Sequence, residues 1–139
     1  LERFVHNSET ARRAGTSSTG SAVRGYSSTP GVGVRAVAVV AGDRSPAELI
    51  SEIRDGLLVQ GVSGLHSGVN PVSGDFSTGA EGLRIRDGEL AEPVREFTIA
   101  STIQKMLHNV TAIGDDLQWL PMRAAGVTLV IGELTVSGV

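Results

Sequence analysis

The dipeptide Asp87-Gly88 is the feature that most constrains how this chain can fold. It separates residues 76–86, where Leu83 and Ile85 alternate with arginines, from residues 89–91. Such alternation places apolar side chains on one face of a strand and charged side chains on the other. Asp-Gly is favoured in two-residue turns whose central positions both need a positive φ. The sequence therefore predicts an antiparallel β-hairpin centred on residues 87–88.

Two helices and several further strands are predicted around this hairpin. Ser45, Pro46 and Glu48 form a capping box with proline at the first helical position, which predicts a helix over 45–55. Ser101 and Gln104 suggest a second capping box, for a helix over 101–109. Predicted strands cover 34–40, 57–63, 94–99, 127–131 and 134–136, with a short strand at 1–5, a helical turn at 10–14 and Pro93 ending the pairing of 89–91. Helices that do not alternate regularly with strands indicate an α+β fold, with a mixed, mostly antiparallel sheet and about two helices.

The length of 139 residues suits a single domain or a fragment of a longer one. Residues 16–33 are rich in Gly, Ser and Thr and show no period, which predicts a long loop. A loop of this length is unusual in a compact domain. We therefore expect 1–33 to be irregular, either mobile or packed against a surface that this chain lacks, and 34–139 to form the α+β core.

Composition argues against several classes of function. The net charge is −3 and aromatic residues make up 4% of the chain, so neither a basic surface for duplex nucleic acid nor stacking platforms for single strands are expected. There are no cysteines, which fits a reducing compartment. No charged-then-apolar leader and no long apolar run is present. We expect no membrane association and a cytoplasmic location.

The run of residues 61–77, GVSGLHSGVNPVSGDFS, is the main candidate for a functional loop or edge. It contains four glycines and several small polar residues, so it has backbone freedom but little side chain to bury. His66 lies within it and is either a contact in a binding groove or a loop histidine bonded locally to Ser67 or Asn70. Asp75 could orient His66 across the turn, although the spacing does not require this.

Recognisable catalytic patterns are not found. The histidines His6, His66 and His108 lack the helical spacing that lets two imidazoles reach one zinc ion. Ser67 directly follows His66, and neighbouring side chains of an extended segment point to opposite faces, which argues against a nucleophile–base pair. No glycine-rich loop opens a helix as a phosphate-binding loop does. Binding is favoured over chemistry for this chain.

Three stretches resemble the TldD/PmbA family. These are GLHSGVNP-x-SGDFS-x-GAEG at 64–82, the Arg-Asp-Gly-Glu turn followed by EPVREFTIA at 92–100, and ARR-x-G…STG at 11–20. The resemblance covers most of the chain and implies the C-terminal domain of the TldD/PmbA fold. Arg12 and Arg13 lie in the third stretch, and are either guanidiniums that bind a carboxylate of a peptide or partner subunit, or exposed charges on a mobile segment.

Family members were first described as modulators of DNA gyrase and are understood as subunits of a metallopeptidase. One subunit carries an HE-x-x-x-H helix and a C-terminal Cys that bind zinc, and the other, PmbA or TldE, lacks these ligands. This chain has neither feature, so the resemblance implies the non-metal subunit, with zinc only in a partner or in a segment outside this chain. It further implies a TldD-like partner subunit, extended peptide substrates and no direct nucleic-acid binding, with self-association left open.

The resemblance assigns no catalytic residue. The candidates for peptide or partner binding are Arg12, Arg13, His66, Asn70 and Asp75. Two alternatives remain open at this point. In the first alternative, the chain is a fragment of the zinc-binding subunit itself. In the second, it is an interaction protein that modulates DNA gyrase.

Overall fold

The computed structural model describes residues 4–34, 37–121 and 124–138. The chain divides into two compact units, Leu1–Val39 and Val40–Val139. The first contains α1 (Ser8–Arg13), β1 (Ala22–Val23) and β2 (Gly31–Val32). The second contains α2 (Pro46–Ser51), β3 (Asp55–Ser63), α3 (Leu65–Gly68), β4 (Asp75–Arg86), β5 (Glu89–Thr102), α4 (Ile103–His108), β6 (Val110–Ile113), β7 (Gln118–Leu120), β8 (Ala124–Gly126), β9 (Leu129–Ile131) and β10 (Thr135–Ser137).

The first unit is ordered around one short helix. Asn7 caps α1 by accepting from the Thr10 amide at 2.8 Å, and the Thr10 hydroxyl accepts in return from the Asn7 amide at 3.1 Å. The predicted helical turn at 10–14 is thus present but begins two residues earlier. The predicted loop at 16–33 contains the β1–β2 ladder, with Ala22 opposite Val32. Short ladders of two residues give no periodicity that a sequence could reveal.

The main sheet of the second unit has four antiparallel strands in the order β10–β5–β4–β3. Its central pair, β4 and β5, turns at Asp87 and Gly88, whose φ angles are 47° and 83°. Arg86 lies opposite Glu89, so the loop has two residues. The predicted hairpin is confirmed in position, length and turn conformation. Four short helices and antiparallel sheets among the described residues also confirm the α+β prediction.

The two ends of β4 bury opposite faces. Phe76 and Ala80 point into a cluster with Phe97 and Ile99 of β5, and Phe97 is fully buried. Toward the hairpin, burial moves to the other set of residues, because Ile85 is 2% exposed while Arg86 is exposed. A strand of twelve residues can therefore contribute to two apolar clusters, one on each side of the sheet.

Helix boundaries follow local capping with two corrections. Ser45 and Glu48 form the predicted capping box, but α2 ends at Ser51 because Asp55 already pairs in β3. The capping box predicted for Ser101 and Gln104 is wrong. Thr102 is the N-cap of α4 and accepts from the Lys105 amide at 3.1 Å.

Two strand predictions are wrong. Within 34–40, residues 35–36 lie outside the described residues, and the remaining valines are exposed and form no strand; Val40 is 82% exposed. Pro93 does not end the pairing of the hairpin, since it lies opposite Leu83 in a continuous β5. A register shift between Leu83 and Ile85 accompanies it, and proline is tolerated at such irregular positions. A strand was also predicted at 1–5. Residues 1–3 lie outside the described residues, and Phe4 and Val5 belong to no strand.

The C-terminal part holds three strands that were not predicted. β6 pairs with β9 and β7 pairs with β8, each in a separate two-stranded ladder. β9 and β10 correspond to the strands predicted at 127–131 and 134–136.

In the portions of the chain that the structure covers, no helix is long and apolar enough to cross a membrane.

Candidate functional site

The run of residues 61–77 has a strand at each end and a compact loop between. Residues 61–63 complete β3 and residues 75–77 begin β4, so the loop proper is 64–74. Gly64 starts it with a φ of +77°, and its carbonyl accepts from the amides of Ser67 and Gly68, which closes the single turn α3. A Cβ on Gly68 would collide with the backbone of Ser77. Glycine is therefore required there for the loop to lie against β4.

Asn70 holds the second half of the loop together. Its side-chain Oδ1 accepts from the backbone amides of Val72 at 2.9 Å and Ser73 at 3.2 Å. Its backbone amide donates to the Asp75 carbonyl at 2.8 Å. The side chain thus replaces backbone acceptors within a tight turn. Asn70 is exposed, yet its side-chain oxygen is engaged in maintaining the loop.

Asp75 is also engaged locally. Its Oδ2 accepts from the Ser73 hydroxyl at 2.6 Å. The loop is tied to α4 as well, because Gln104 Nε2 donates to the Ser73 carbonyl at 3.2 Å and the Ile103 amide donates to the Gly74 carbonyl at 2.8 Å. Asp75 therefore braces the turn and has no hydrogen bond to His66 in the structure.

His66 is the polar side chain of this loop that forms no hydrogen bond among the described residues. It lies in α3, is exposed, and its imidazole forms no hydrogen bond with any residue that the structure describes. Ser67 instead donates from its hydroxyl to the Gly64 carbonyl at 3.3 Å. Of the two interpretations of His66, the local bond to Ser67 or Asn70 is not formed among the described residues, and the ring is open to a ligand.

Arg12 and Arg13 lie in α1 of the first unit. Arg13 Nη2 pairs with Glu9 Oε1 at 2.6 Å, one helical turn away, with both side chains exposed. Such exposed pairs contribute little to stability. Arg12 has no ion pair among the described residues, so its guanidinium is available to a carboxylate. His66, Asn70 and Asp75 share one loop of the second unit, whereas the two arginines share one helix of the first.

A groove adjoins the loop. It has a volume of about 710 Å³ and its lining includes two of the predicted site residues, Asn70 and Asp75. It is lined by Ser67, Gly68, Val69, Asn70, Pro71, Asp75, Phe76 and Ser77. The surface is mostly backbone and small side chains, which suits contact with an extended main chain.

The strand that leads into this loop, β3, is an edge of the main sheet. Eight of its nine residues pair with β4, and β3 pairs with no other strand in the described ranges, so one row of its backbone groups has no ladder partner. The register shifts between Val59 and Gly61, which leaves Gln60 as a bulge. A free edge of this length is a template for adding a further strand.

A second groove crosses the sheet beside that bulge and was not anticipated from the sequence. It has a volume of about 480 Å³ and includes Glu81, Arg95 and Glu96. Glu96 has a φ of +58°, unusual for a residue with a side chain. It occupies a second irregular position, between the pairs Ala80–Phe97 and Gly82–Val94. Nothing in the sequence around Glu96 marks a bulge, so no local signal could have found it.

The ionisable groups with shifted pKa values serve structure. Hydrogen bonds from Ser45 lower the pKa of Glu48, and the hydrogen bond and charge of Arg86 lower that of Glu92. Across the described residues, no three His, Cys, Asp or Glu side chains come together as metal ligands would. What the edge of β3 and the loop 64–74 offer is hydrogen bonding to a main chain and contact with the imidazole of His66.

The fold and this edge define an α+β domain with an open strand at one side of its main sheet. The family profile described as the PmbA/TldA metallopeptidase C-terminal domain matches residues 1–138. The chain therefore belongs to the PmbA/TldA family, as its C-terminal domain. The resemblance drawn from the motifs is confirmed.

Individual relatives agree with this placement. A metalloprotease PmbA homolog from Haemophilus influenzae is 39% identical over 90 residues, which are 65% of this chain and 19% of that protein. A Thermotoga maritima protein described as a "putative modulator of a DNA gyrase" superposes with a TM-score of 0.76 at 27% identity, over 99% of this chain and 31% of that one. TldE from Thermococcus kodakarensis gives a TM-score of 0.66 at 28% identity, over 93% and 29%. The chain spans 19% to 28% of the length of the first two curated relatives.

Proposed function

We propose that this chain is the C-terminal part of a PmbA/TldE-like subunit that binds no metal itself. It would pair with a TldD-like subunit in a metallopeptidase complex that processes or degrades unstructured peptides. The observation that carries this proposal is the nine-residue free edge of β3, which runs directly into the glycine-rich loop 64–74. Family membership and the likeness to a TldE support it.

The mechanism is strand addition. An extended peptide laid beside β3 would exchange main-chain hydrogen bonds with the free edge, which requires no particular sequence. Unstructured peptides fit this mode because their backbone groups are not already paired. The loop then supplies contacts at the end of the edge, with the imidazole of His66 as the available polar group.

The five candidate residues take different roles in this proposal. His66 contacts the peptide, and Arg12 binds a carboxylate of a peptide or partner subunit. Asn70 and Asp75 act indirectly, because their hydrogen bonds shape the loop. Arg13 is tied to Glu9 and would have to exchange that partner to bind a ligand. Zinc would be held by the partner subunit or by a segment outside this chain.

The decisive test measures, by fluorescence anisotropy, how tightly the full chain binds two short fluorescein-labelled Ala/Val/Thr peptides. One peptide is unmodified and the other is N-methylated at alternate residues. N-methylation removes backbone donors but leaves every side chain. Three lost hydrogen bonds of about 1 kcal/mol each predict a weakening of roughly 100-fold. Equal affinity for both peptides would exclude strand addition.

His66→Ala in the complex reconstituted with a TldD-like subunit tests the loop contact. We expect a rise in the KM for peptide turnover with unchanged subunit association. Thr29→Ala, an exposed substitution in the β1–β2 loop, is the matched control. Wild-type turnover by His66→Ala would remove this residue from the site.

Zinc content separates the proposal from its main alternative, a metal-binding subunit. The curated relatives are named metalloproteases, which favours measuring it directly. We expect no stoichiometric zinc by elemental analysis in the full chain purified alone, and one zinc per complex with the partner. Stoichiometric zinc in the full chain alone would overturn the assignment to the non-metal subunit.

The description of a structural neighbour as a gyrase modulator favours one further measurement. Direct contact with duplex DNA would appear as binding that weakens steeply between low and physiological salt. We expect no duplex binding at low salt, in line with the net charge of −3.

A further inference from the structure

Glu81 of β4 leans across the edge strand β3. It lies opposite Gly61 in the β3–β4 ladder, so the two residues share one face of the sheet. A Cβ on Gly61 would lie 3.1 Å from Glu81 Oε1 and 3.2 Å from Glu81 Cγ, so the carboxylate lies over the backbone of Gly61. Because β3 is a free edge, the carboxylate points toward the side of the sheet where a further strand would lie.

Glycine at position 61 keeps this path open. Gly61 is not among the glycines with a positive φ, so its backbone conformation does not demand glycine. What the missing side chain provides is room above β3 for the carboxylate of Glu81. Any larger residue at position 61 would push that carboxylate away from the edge.

The carboxylate of Glu81 has no partner among the described residues. β3 and β4 contain three carboxylates, and two of them are engaged: Asp55 pairs with an arginine of β4 at 2.7 Å, and Asp75 accepts from a serine hydroxyl at 2.6 Å. Glu81 is exposed and forms no hydrogen bond or ion pair with any residue that the structure describes. Residues 55–74, which form the edge and the loop, contain no Lys or Arg that could neutralise it.

The groove beside the bulge of β3 gives a long side chain room to lie on this face. Ser63, Gly79 and Thr98 lie opposite one another on three adjacent strands. Gly79 is two residues from Glu81 along β4, so all of them are on the same face of the sheet. These small residues line the groove of about 480 Å³ without filling it.

The charges at this face favour a cationic ligand. Arg95 and Glu96 also line the groove, but they belong to β5, which lies on the far side of β4 from the free edge. Arg95 forms no ion pair with Glu81 or with any other described residue. Over 40–139 the sequence has thirteen carboxylates and seven Lys or Arg side chains, so this unit attracts basic ligands and repels acidic ones.

We propose that Glu81 selects peptides that carry a Lys or Arg side chain. This selection rests on the proposed addition of a peptide strand beside β3, and it names the substrate class of that site. The added strand would lie about 4.8 Å beyond β3, with alternate side chains on the face of Glu81. A Lys or Arg side chain at one of these positions can reach the carboxylate while its aliphatic stem lies over the small residues of the groove.

The first test measures, by fluorescence anisotropy, how tightly the full chain binds three fluorescein-labelled Ala/Val/Thr peptides. They differ only in a central Lys, norleucine or Glu, and norleucine keeps the aliphatic stem of Lys without its charge. At low salt we expect the Lys peptide to bind about three- to fivefold more tightly than the norleucine peptide, as an exposed ion pair allows, and the Glu peptide to bind least tightly. Added salt should reduce the difference. Equal affinities for the Lys and norleucine peptides would overturn the proposal.

Two substitutions of Glu81 assign the preference to this residue. Glu81→Gln should bind the Lys and norleucine peptides equally, and Glu81→Lys should prefer the Glu peptide. Glu89→Gln removes an exposed carboxylate at the hairpin end of β5 and is the matched control for net charge, so it should keep the wild-type preference. A preference that persists in Glu81→Gln, or that Glu89→Gln loses to the same extent, would reject the role of Glu81.

Gly61→Ala tests the path of the carboxylate over β3. The added methyl group takes the space in which the carboxylate lies, so the ratio of the Lys to the norleucine affinity should fall. Because the ratio compares two peptides on one variant, a general change in affinity for the edge does not affect it. An unchanged ratio would contradict the approach of Glu81 to the ligand over Gly61.

N-methylation of the norleucine peptide at alternate residues distinguishes this selection from strand addition itself. If N-methylation weakens binding but Lys brings no gain, strand addition stands and selection by Glu81 is rejected. If Lys brings a gain that depends on Glu81 and N-methylation has no effect, selection by Glu81 is supported and strand addition is rejected. Absence of binding by every peptide would overturn both.

Discussion

Thr128 donates both its backbone amide and its hydroxyl to the carboxylate of Asp116, at 3.0 and 2.8 Å. The backbone hydrogen bond, and after it the side-chain hydrogen bond, lowers the pKa of Asp116 below its ordinary value of 3.8. A carboxyl whose pKa is lower in the folded state stabilises that state when ionised. The contribution is complete above the unfolded pKa and is lost as pH falls through the folded pKa.

Asp116→Asn should therefore destabilise the second unit in a pH-dependent way. At neutral pH we expect a lower urea midpoint than in the wild type, since the amide offers only one acceptor atom to the two donors of Thr128. The difference should begin to shrink as pH falls below about 4, the pKa of the unfolded carboxyl. It should be lost as pH falls further, through the lowered pKa of Asp116 in the folded state. Asp115→Asn is the control, and equal pH profiles for the two variants would contradict the role of the Thr128 bonds.

Gly88→Ala should destabilise the hairpin between β4 and β5. Gly88 has a φ of +83°, and a Cβ there would also collide with the backbone of Ser51. We expect a loss of about 1–3 kcal/mol in the free energy of unfolding, measured in urea. Gly31→Ala, at a position with negative φ and open space, is the matched control and should change stability little. Similar losses for both variants would show that the turn conformation is not what requires glycine.

Phe97 should be the most costly side chain of the main core to truncate. It is fully buried among Phe76, Ala80 and Ile99. Phe97→Ala is expected to cost about 3–5 kcal/mol in urea unfolding. Because such a loss can prevent folding, Phe97→Leu provides a milder variant, whose free energy of unfolding should lie between those of the wild type and Phe97→Ala. Leu107→Ala, 57% exposed, should stay within about 0.5 kcal/mol of wild type, and a comparable loss there would refute the placement of the core.

Variants of Asn70 and His66 should distinguish residues that maintain the conformation of the loop 64–74 from residues that contact a ligand. Asn70→Ala removes the acceptor for the Val72 and Ser73 amides, so hydrogen exchange of those amides should accelerate. His66→Ala removes no hydrogen bond among the described residues and should leave the exchange of the loop unchanged while weakening peptide binding. Faster exchange in His66→Ala would mean that His66 supports the loop instead of contacting a ligand.

The loop that carries the candidate site was predicted in place, but the hydrogen bonds of its side chains were not. The glycine and asparagine content of 61–77 correctly indicated a loop at the end of a strand. Whether Asn70 and Asp75 point outward or brace the turn depends on which amides come within reach, and that is set by the path of the folded loop. Glu96 and its groove could not be predicted, because a bulge arises from the relative register of β4 and β5.

What the sequence determined by itself lies within a few residues along the chain. The Asp87-Gly88 turn and the Ser45–Glu48 capping box are complete in four or fewer consecutive residues, and both were predicted correctly. The valines of 34–40 and the continuation of β5 through Pro93 were not, because a strand exists only where a distant segment supplies its hydrogen-bond partner. Tertiary structure alone decided which edge of the sheet stays free and which side chains remain unbonded, since each depends on pairing between residues far apart in sequence.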